Sequence, residues 1–191
     1  MKKLTLKNSF LFSGNHAVII TLQAWLGMQM LHGPISRSRT RFLKLIDGRI
    51  EEIEQTRVDL LKKYAAKQKV KEDGKDVEKE VMLYEEKVKS EEKDAPPMLE
   101  TKETTDPRIG KRYKLADEKG FSEEFQKYLE EELIIDILPS NSEVIYQVRD
   151  MILNTKEEFQ NQMAYRYDEW CEAFENISEE GEGKKEKKSK K

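Results

Sequence analysis

The chain is poor in the residues that build metal and redox sites. It contains one cysteine, Cys171, and two histidines, His16 and His32. A lone cysteine cannot form an intrachain disulfide or a multi-thiolate zinc site, so nothing indicates an oxidising compartment. On one continuous helix the two histidines would lie about 24 Å apart, too far to share a metal ion. We therefore predict a cytoplasmic protein without metal or cofactor.

Apolar residues are also scarce, at 37% of the 191 residues, whereas 38% are charged. This composition predicts one modest core with long solvated faces. The net charge of −3 argues against a surface that attracts polyanions everywhere, so any nucleic-acid site must be a local patch. The apolar stretch 17–31 is shorter than the roughly 20 residues that cross a bilayer, and polar residues interrupt it. We expect a buried helix there and no membrane partner.

Most sequence motifs of enzymes are missing. The chain has no phosphate-binding loop, dinucleotide fingerprint, nucleophile elbow or zinc-protease motif. Asp136, inside "LIIDIL", is the one acidic residue in an apolar setting, and we expect it on the exposed face of a half-buried strand. Cys171 is predicted to fill space rather than to attack a substrate. No catalytic residue is predicted, and a metal-dependent hydrolase is the least favoured function.

The N-terminal part predicts a strand followed by two helices. The alternation in "LTLKNSFLF" (4–12) predicts a short strand. The apolar helix over 17–31 is expected to end at "HGP", with Gly33 in a left-handed conformation. A long amphipathic helix, capped by Ser36 or Ser38, follows to Ala66. Its apolar stripe is expected to cover the first helix in an antiparallel hairpin.

The C-terminal part predicts further helices and a second strand. Ser122 is expected to begin a short helix, and "LIIDILP" (133–139) to pair with the first strand. Two capping-box spacings, Ser140 with Glu143 and Thr155 with Glu158, precede the last two helices. The final helix carries a core-facing stripe of Phe159, Met163, Tyr167, Trp170, Phe174 and Ile177.

These elements predict a mainly helical α+β protein with a small antiparallel strand pair. One core is expected to combine the strand and helical hairpin of 1–66 with the helix–strand–helix–helix part of 120–177. Between them, 67–119 is predicted to be a protruding, charge-rich insertion. The charged tail 178–191 has no apolar content and is predicted to be disordered. The long apolar stripes can pack within one chain or between two, so a homo-oligomer stays open.

The stretch "SRSRTRFLKLI" is the most chemically distinctive part of the sequence. On a helix, Arg37 and Arg41 share a face while Arg39 points about 200° away from each. Basic side chains at a helix N-terminus could hold a phosphate, which favours nucleic acid. No interleaved aromatic residues follow for base stacking, and the helix soon becomes acidic. We therefore predict that Arg37, Arg39 and Arg41 contact a partner protein or the chain's own carboxylates, with nucleic acid as the alternative.

A lysine-rich tail would extend that alternative. Lys184, Lys185, Lys187 and Lys188 belong to "KKEKKSKK", a run that can tether weakly to nucleic acid in a salt-sensitive manner. Such runs are more often solubilising ends, so the tail is assigned to the nucleic-acid hypothesis alone.

The order of elements resembles a family of small hypothetical proteins of phages and prophages of Gram-positive bacteria. The resemblance rests on "LTLKNSFLF", the apolar helix, "SRSRTRFLKLI" leading into "EEIEQTRVDLLKKYA", and "EEELIIDIL". It covers 1–66 best and 120–177 loosely, whereas the insertion and the lysine tail depart from the family. It implies a phage accessory protein in a bacterial cell that serves assembly or lysis or blocks a host defence. We expect such a protein to act by binding a host or phage protein.

Overall fold

A computed structural model describes residues 2–12, 20–71, 78–84, 105–106 and 111–179. The helices in this part of the chain are α1 (Asn8–Leu11), α2 (Leu22–Met28), α3 (Gly33–Tyr64), α4 (Glu118–Leu129), α5 (Ser142–Leu153) and α6 (Gln162–Glu175). The strands are β1 (Lys2–Lys7), β2 (Lys67–Lys71), β3 (Glu78–Met82), β4 (Thr105–Asp106), β5 (Lys111–Arg112), β6 (Glu132–Asp136) and β7 (Ser178–Glu179). The predicted mainly helical α+β class is confirmed.

The central sheet has the strand order β6-β1-β7, and both neighbours run antiparallel to β1. The predicted pairing of the first strand with "LIIDILP" is confirmed, with Leu4 opposite Ile135. The predicted extension of the first strand to Phe12 is wrong. After Lys7 the chain enters the helical turn α1, in which the backbone N–H of Phe12 donates to the carbonyl of Asn8. Ser178 and Glu179 form β7 on the other edge of β1, so they do not belong to a disordered tail.

The apolar helix α2 is shorter than predicted. It begins after Thr21, whose hydroxyl accepts a hydrogen bond from the N–H of Ala24 at 3.1 Å. It ends at Met28, and residues 17–19 of the predicted helix lie outside the described part. Gly33 has the predicted left-handed conformation, with φ of 61°, but it opens α3 rather than following α2 directly. Ser36 and Ser38 therefore lie inside α3 and do not cap it.

The long helix α3 follows the predicted stripe. Phe42, Ile46, Ile53 and Leu61 are buried in the core, and the polar positions between them are exposed or partly exposed except at Arg57, which is buried. The main partners of α3 are α5 and α4. The predicted hairpin in which α3 covers α2 is therefore wrong as the main packing, because a helix of 7 residues is too short to match one of 32.

The charge-rich middle begins as an ordered hairpin. Strands β2 and β3 pair antiparallel, with Lys67 opposite Met82. Tyr84 then bridges to Tyr113, and the two rings lie 5.1 Å apart. Tyr113 is buried in the core, so this end of the predicted protruding insertion is packed. Residues 72–77, 85–104 and 107–110 of the insertion lie outside the described part.

The later helices begin at positions other than those predicted. Helix α4 starts four residues before Ser122, because the Asp117 carboxylate accepts from the N–H of Gly120 at 2.8 Å. A side chain at Gly120 would meet this carboxylate and the ring of Tyr64, so a larger residue there would displace the cap. The predicted box of Ser140 with Glu143 does not form.

The residue that organises the turn before α5 is Asn141. Its side chain accepts from the N–H of Leu138 at 2.8 Å and donates to the carbonyl of Asp136 at 3.0 Å. The box of Thr155 with Glu158 is also absent, since α6 begins only at Gln162, after Asn161 adopts a φ of 52°. The capping residues are therefore set by turn geometry that the spacing alone does not reveal.

The C-terminal helices close the core. The predicted stripe of α6 is confirmed for Met163, Trp170 and Phe174, which are buried, and Tyr167 is half-buried. Phe159 and Ile177 lie outside the helix, so the prediction that they belong to it is wrong. The Trp170 ring lies 5.9 Å from that of Trp25 in α2. Helix α5 buries its predicted face of Val144, Ile145, Val148 and Ile152.

Candidate partner-binding surface

The three arginines at the start of α3 have different surroundings. Arg39 is half-buried, and its Nη1 donates to the carbonyl of Gln29 at 2.7 Å and to that of Leu26 at 3.4 Å. The last carbonyls of a helix have no partner within the helix, and they attract positive charge. Arg39 of α3 therefore caps the C-terminus of α2, and it serves the chain itself.

Arg37 and Arg41 remain exposed on the opposite side of α3. Neither makes an ion pair or a hydrogen bond through its side chain to any residue of the described ranges. The alternative that intramolecular carboxylates neutralise them is not seen there. They lie one helical turn apart, and Leu45, 41% exposed, follows one turn later.

Exposed apolar side chains lie at the connection between α2 and α3. Met28 is 57% exposed, Met30 91% and Ile35 42%. Single exposed apolar residues are normal, but several within one short segment are typical of interaction sites. Methionine adapts its shape to a partner because its side chain is unbranched and flexible. We use the name Met–Arg surface for six exposed residues of the segment 28–45, namely Met28, Met30, Ile35, Arg37, Arg41 and Leu45.

Glu157 holds the end of α2 through two side chains. One carboxylate oxygen accepts from Trp25 Nε1 at 2.7 Å, and the other accepts from Gln29 Nε2 at 2.9 Å. With Arg39 on the carbonyl of Gln29, these bonds hold the end of α2 from two sides. A surface on an ordered backbone loses less conformational freedom when it binds. Sequence reasoning missed Glu157, because 128 positions separate it from Gln29.

The charge of the chain is divided at this region. The first 46 residues contain seven lysines and arginines and no acidic residue. All 38 acidic residues follow, starting with Asp47. Four of the seven basic residues lie at 37–44, so the first turns of α3 form a local positive patch on an acidic protein. The sequence alone shows this division of charge, but no sequence motif marks it.

A cavity of about 240 Å³ lies near the start of α2 and the middle of α3. Arg57 lines it and is only 3% exposed. Its guanidinium pairs with Glu54 at 2.8 Å and lies 5.8 Å from the ring of Phe12. Burial of a charge requires such a partner, so the pair is explained by the fold.

The other predicted residues do not assemble into a reactive site. His32 is exposed before α3, whereas His16 and the lysines at 184, 185, 187 and 188 lie outside the described residues. Asp136 is exposed on β6, as predicted. Cys171 is half-buried, and burial raises the pKa of its thiol. Within the described ranges, no three His, Cys, Asp or Glu residues could together hold a metal ion. The hypothesis of a metal-dependent hydrolase gains no site from them.

Two further searches bear on identity. In the part of the chain that the structure describes, no helix has the length and apolar character needed to span a membrane. Comparison with protein-family models, curated proteins and solved structures finds no match. The resemblance to phage proteins therefore stays a prediction from the sequence.

Proposed function

We propose that this protein acts without catalysis, by binding a partner protein through the Met–Arg surface. The observation that carries the proposal is the combination of exposed Met28 and Met30 with Arg37 and Arg41, whose charges no described residue neutralises. The matching partner presents an apolar groove bordered by carboxylates. Apolar contact would supply affinity, and the opposite charges would orient the complex and speed its formation.

The proposed setting is that of a phage accessory protein in the cytoplasm of a bacterial host. Such a protein would serve as a component of assembly or lysis, or would inhibit a host defence system. The support for this setting is the resemblance of residues 1–66 and 120–177 to small phage proteins. The Met–Arg surface lies within the better-matched part.

Nucleic-acid binding is the second candidate, because two unneutralised arginines on one face of α3 could also contact phosphates. Two observations favour protein instead. Arg39 is committed to the end of α2, which leaves a small cationic site. Large exposed apolar side chains of the same segment, Met28, Met30, Ile35 and Leu45, carry no ring, whereas single-stranded nucleic acid is typically bound with aromatic rings.

The test is capture of the partner from lysate of the bacterial host, with and without nuclease. The variant Arg37→Glu with Arg41→Glu should lose the partner. The matched control, Lys119→Glu with Lys127→Glu, makes the same charge change on exposed positions of α4 and should retain it. A third variant, Met30→Asp, tests the apolar contribution.

Two outcomes would contradict the proposal. If nuclease treatment removed all captured material, the arginines would belong to a nucleic-acid site, and binding should then weaken steeply with salt. If the partner bound the Arg37→Glu/Arg41→Glu protein and the Met30→Asp protein as well as the wild type, with both variants folded, the Met–Arg surface would not be the binding site.

A further inference from the structure

One edge of the central sheet has unused backbone groups. The N–H of Ile137 donates to the carbonyl of Lys2 at 2.8 Å, and the N–H of Asn8 donates to the carbonyl of Glu131 at 2.9 Å. Since hydrogen-bonding direction alternates along an antiparallel strand, Leu133 and Ile135 also point their backbone groups at β1. Glu132, Ile134 and Asp136 must then point theirs away from β1, at the outer edge of β6.

This outer edge is open in the described structure. Strand β6 stands at the end of the sheet order, and β1 is the one element of the described ranges with which it makes extensive contact. The carbonyl of Asp136 accepts from Asn141, and no described residue bonds to the other outward groups. A row of free backbone groups can template the addition of another strand.

The side chains beside these groups specify the kind of strand that would fit. Ile134 is 56% exposed, and the exposed acidic residues Glu132 and Asp136 flank it on the same face of the sheet. On the inner side, β1 places a lysine opposite each acidic residue, with Lys7 opposite Glu132 and Lys3 opposite Asp136. The ion pairs of Lys7 are with Glu130 and Glu169. Opposite charges in facing positions stabilise a strand pair.

We propose that the outer edge of β6 binds an extended segment of a partner protein. That segment carries Lys or Arg at two positions four residues apart and a small apolar residue midway between them. It adds antiparallel to β6, so that its basic residues face Glu132 and Asp136 and its apolar residue covers Ile134. The bound segment would be the fourth strand of the sheet.

The same charges disfavour self-association through this edge. If two copies of β6 paired antiparallel about Ile134, Glu132 of each copy would stand opposite Asp136 of the other. Like charges in facing positions are destabilising. The acidic pair thus protects the edge from a second β6 while leaving it open to a basic strand.

This site is separate from the Met–Arg surface in residues and in charge. The Met–Arg surface is basic and suits an acidic partner, whereas the β6 edge is acidic and suits a basic one. Either proposal can fail without the other.

The experiment is a titration of the ¹⁵N-labelled full-length protein with a blocked peptide that has two lysines four residues apart and a valine midway. We expect saturable shifts of the amide signals of Glu132, Ile134 and Asp136. A peptide with glutamates in place of the lysines should bind at least about tenfold more weakly, since facing like charges replace facing opposite ones.

The backbone contribution is tested with Ile134→Pro, which removes an outward N–H together with the isoleucine side chain, at an edge-strand position where proline is tolerated. The matched control Ile134→Val keeps that N–H and should bind like the wild type. If the proline variant does not fold, the wild-type protein is titrated with a peptide N-methylated on its β6-facing side. Binding should fall about tenfold or more, because strand addition depends on these hydrogen bonds. The absence of saturable β6 shifts, or equal binding of the lysine and glutamate peptides, would overturn the proposal. So would full binding by the proline variant or the methylated peptide.

Discussion

Asn8 offers the sharpest test of how this core is held together. It is completely buried where β1 turns into α1. Its Nδ2 donates to the carbonyl of Tyr128 at 2.9 Å, and its Oδ1 accepts from Arg49 Nε at 2.8 Å. One side chain thus joins the first strand to α3 and to the end of α4.

We expect Asn8→Ala to lower the free energy of unfolding by about 2–3 kcal/mol. A neutral hydrogen bond contributes on the order of 1 kcal/mol and one to a charged group about 1.5–3 kcal/mol. The loss stays near the lower end because Arg49 keeps Glu52 at 2.9 Å and Glu131 at 3.5 Å, so its charge is not left without a partner. Such a loss is a large part of the roughly 5–15 kcal/mol that stabilises a domain.

The measurement is urea denaturation followed by circular dichroism, with unchanged m-values. The control Asn176→Ala removes an exposed asparagine and should change stability by less than about 0.5 kcal/mol. A double-mutant cycle with Arg49→Ala should give a coupling energy of about 1–2 kcal/mol. A loss below about 1 kcal/mol for Asn8→Ala, or no coupling to Arg49, would refute the role assigned to this residue.

Three further predictions follow from individual contacts. Arg39→Ala should lower the free energy of unfolding, measured by thermal denaturation, by about 1–2 kcal/mol, because the last carbonyls of α2 lose their donor. Arg37→Ala should lower it by less than about 0.5 kcal/mol, and equal losses would contradict the assignment. A hydrogen bond from Lys63 lowers the pKa of Glu124. Wild type should therefore have a larger free energy of unfolding than Glu124→Gln at neutral pH, and this difference should disappear as the pH falls through the lowered pKa. A difference that does not change with pH would contradict this. Burial raises the pKa of Cys171, so its alkylation by iodoacetamide should be clearly slower in the folded protein than in urea; equal rates would contradict the burial.

Local spacing predicted the elements that have a strong apolar pattern. The stripe of α3 around Phe42 and Ile46, the stripe of α6 around Trp170, and the two strands of the antiparallel pair all followed from residue periods, whereas the register of that pair did not. These predictions succeeded because the period of a helix or a strand determines which side chains share a face. Hydrophobic burial then selects the apolar face for the core.

Element boundaries were less predictable, because they depend on hydrogen bonds made by particular turns. The spacing of Ser140 and Glu143 matched a capping box, yet Asn141 organises the turn before α5. The alternation up to Phe12 matched a strand, yet buried Asn8 bends the chain into α1. Several polar residues near a boundary can satisfy the same backbone groups, and the sequence does not show which of them will.

The sequence by itself determined the helical character, the apolar faces and the concentration of arginines at 37–41. Only the tertiary structure divided those arginines, because the end of α2 lies beside Arg39 and leaves Arg37 and Arg41 in solvent. It also brought Glu157 to Trp25, across 132 positions of the chain. Spacing along a helix gives the direction of a side chain, but its partner depends on which distant segments fold against it.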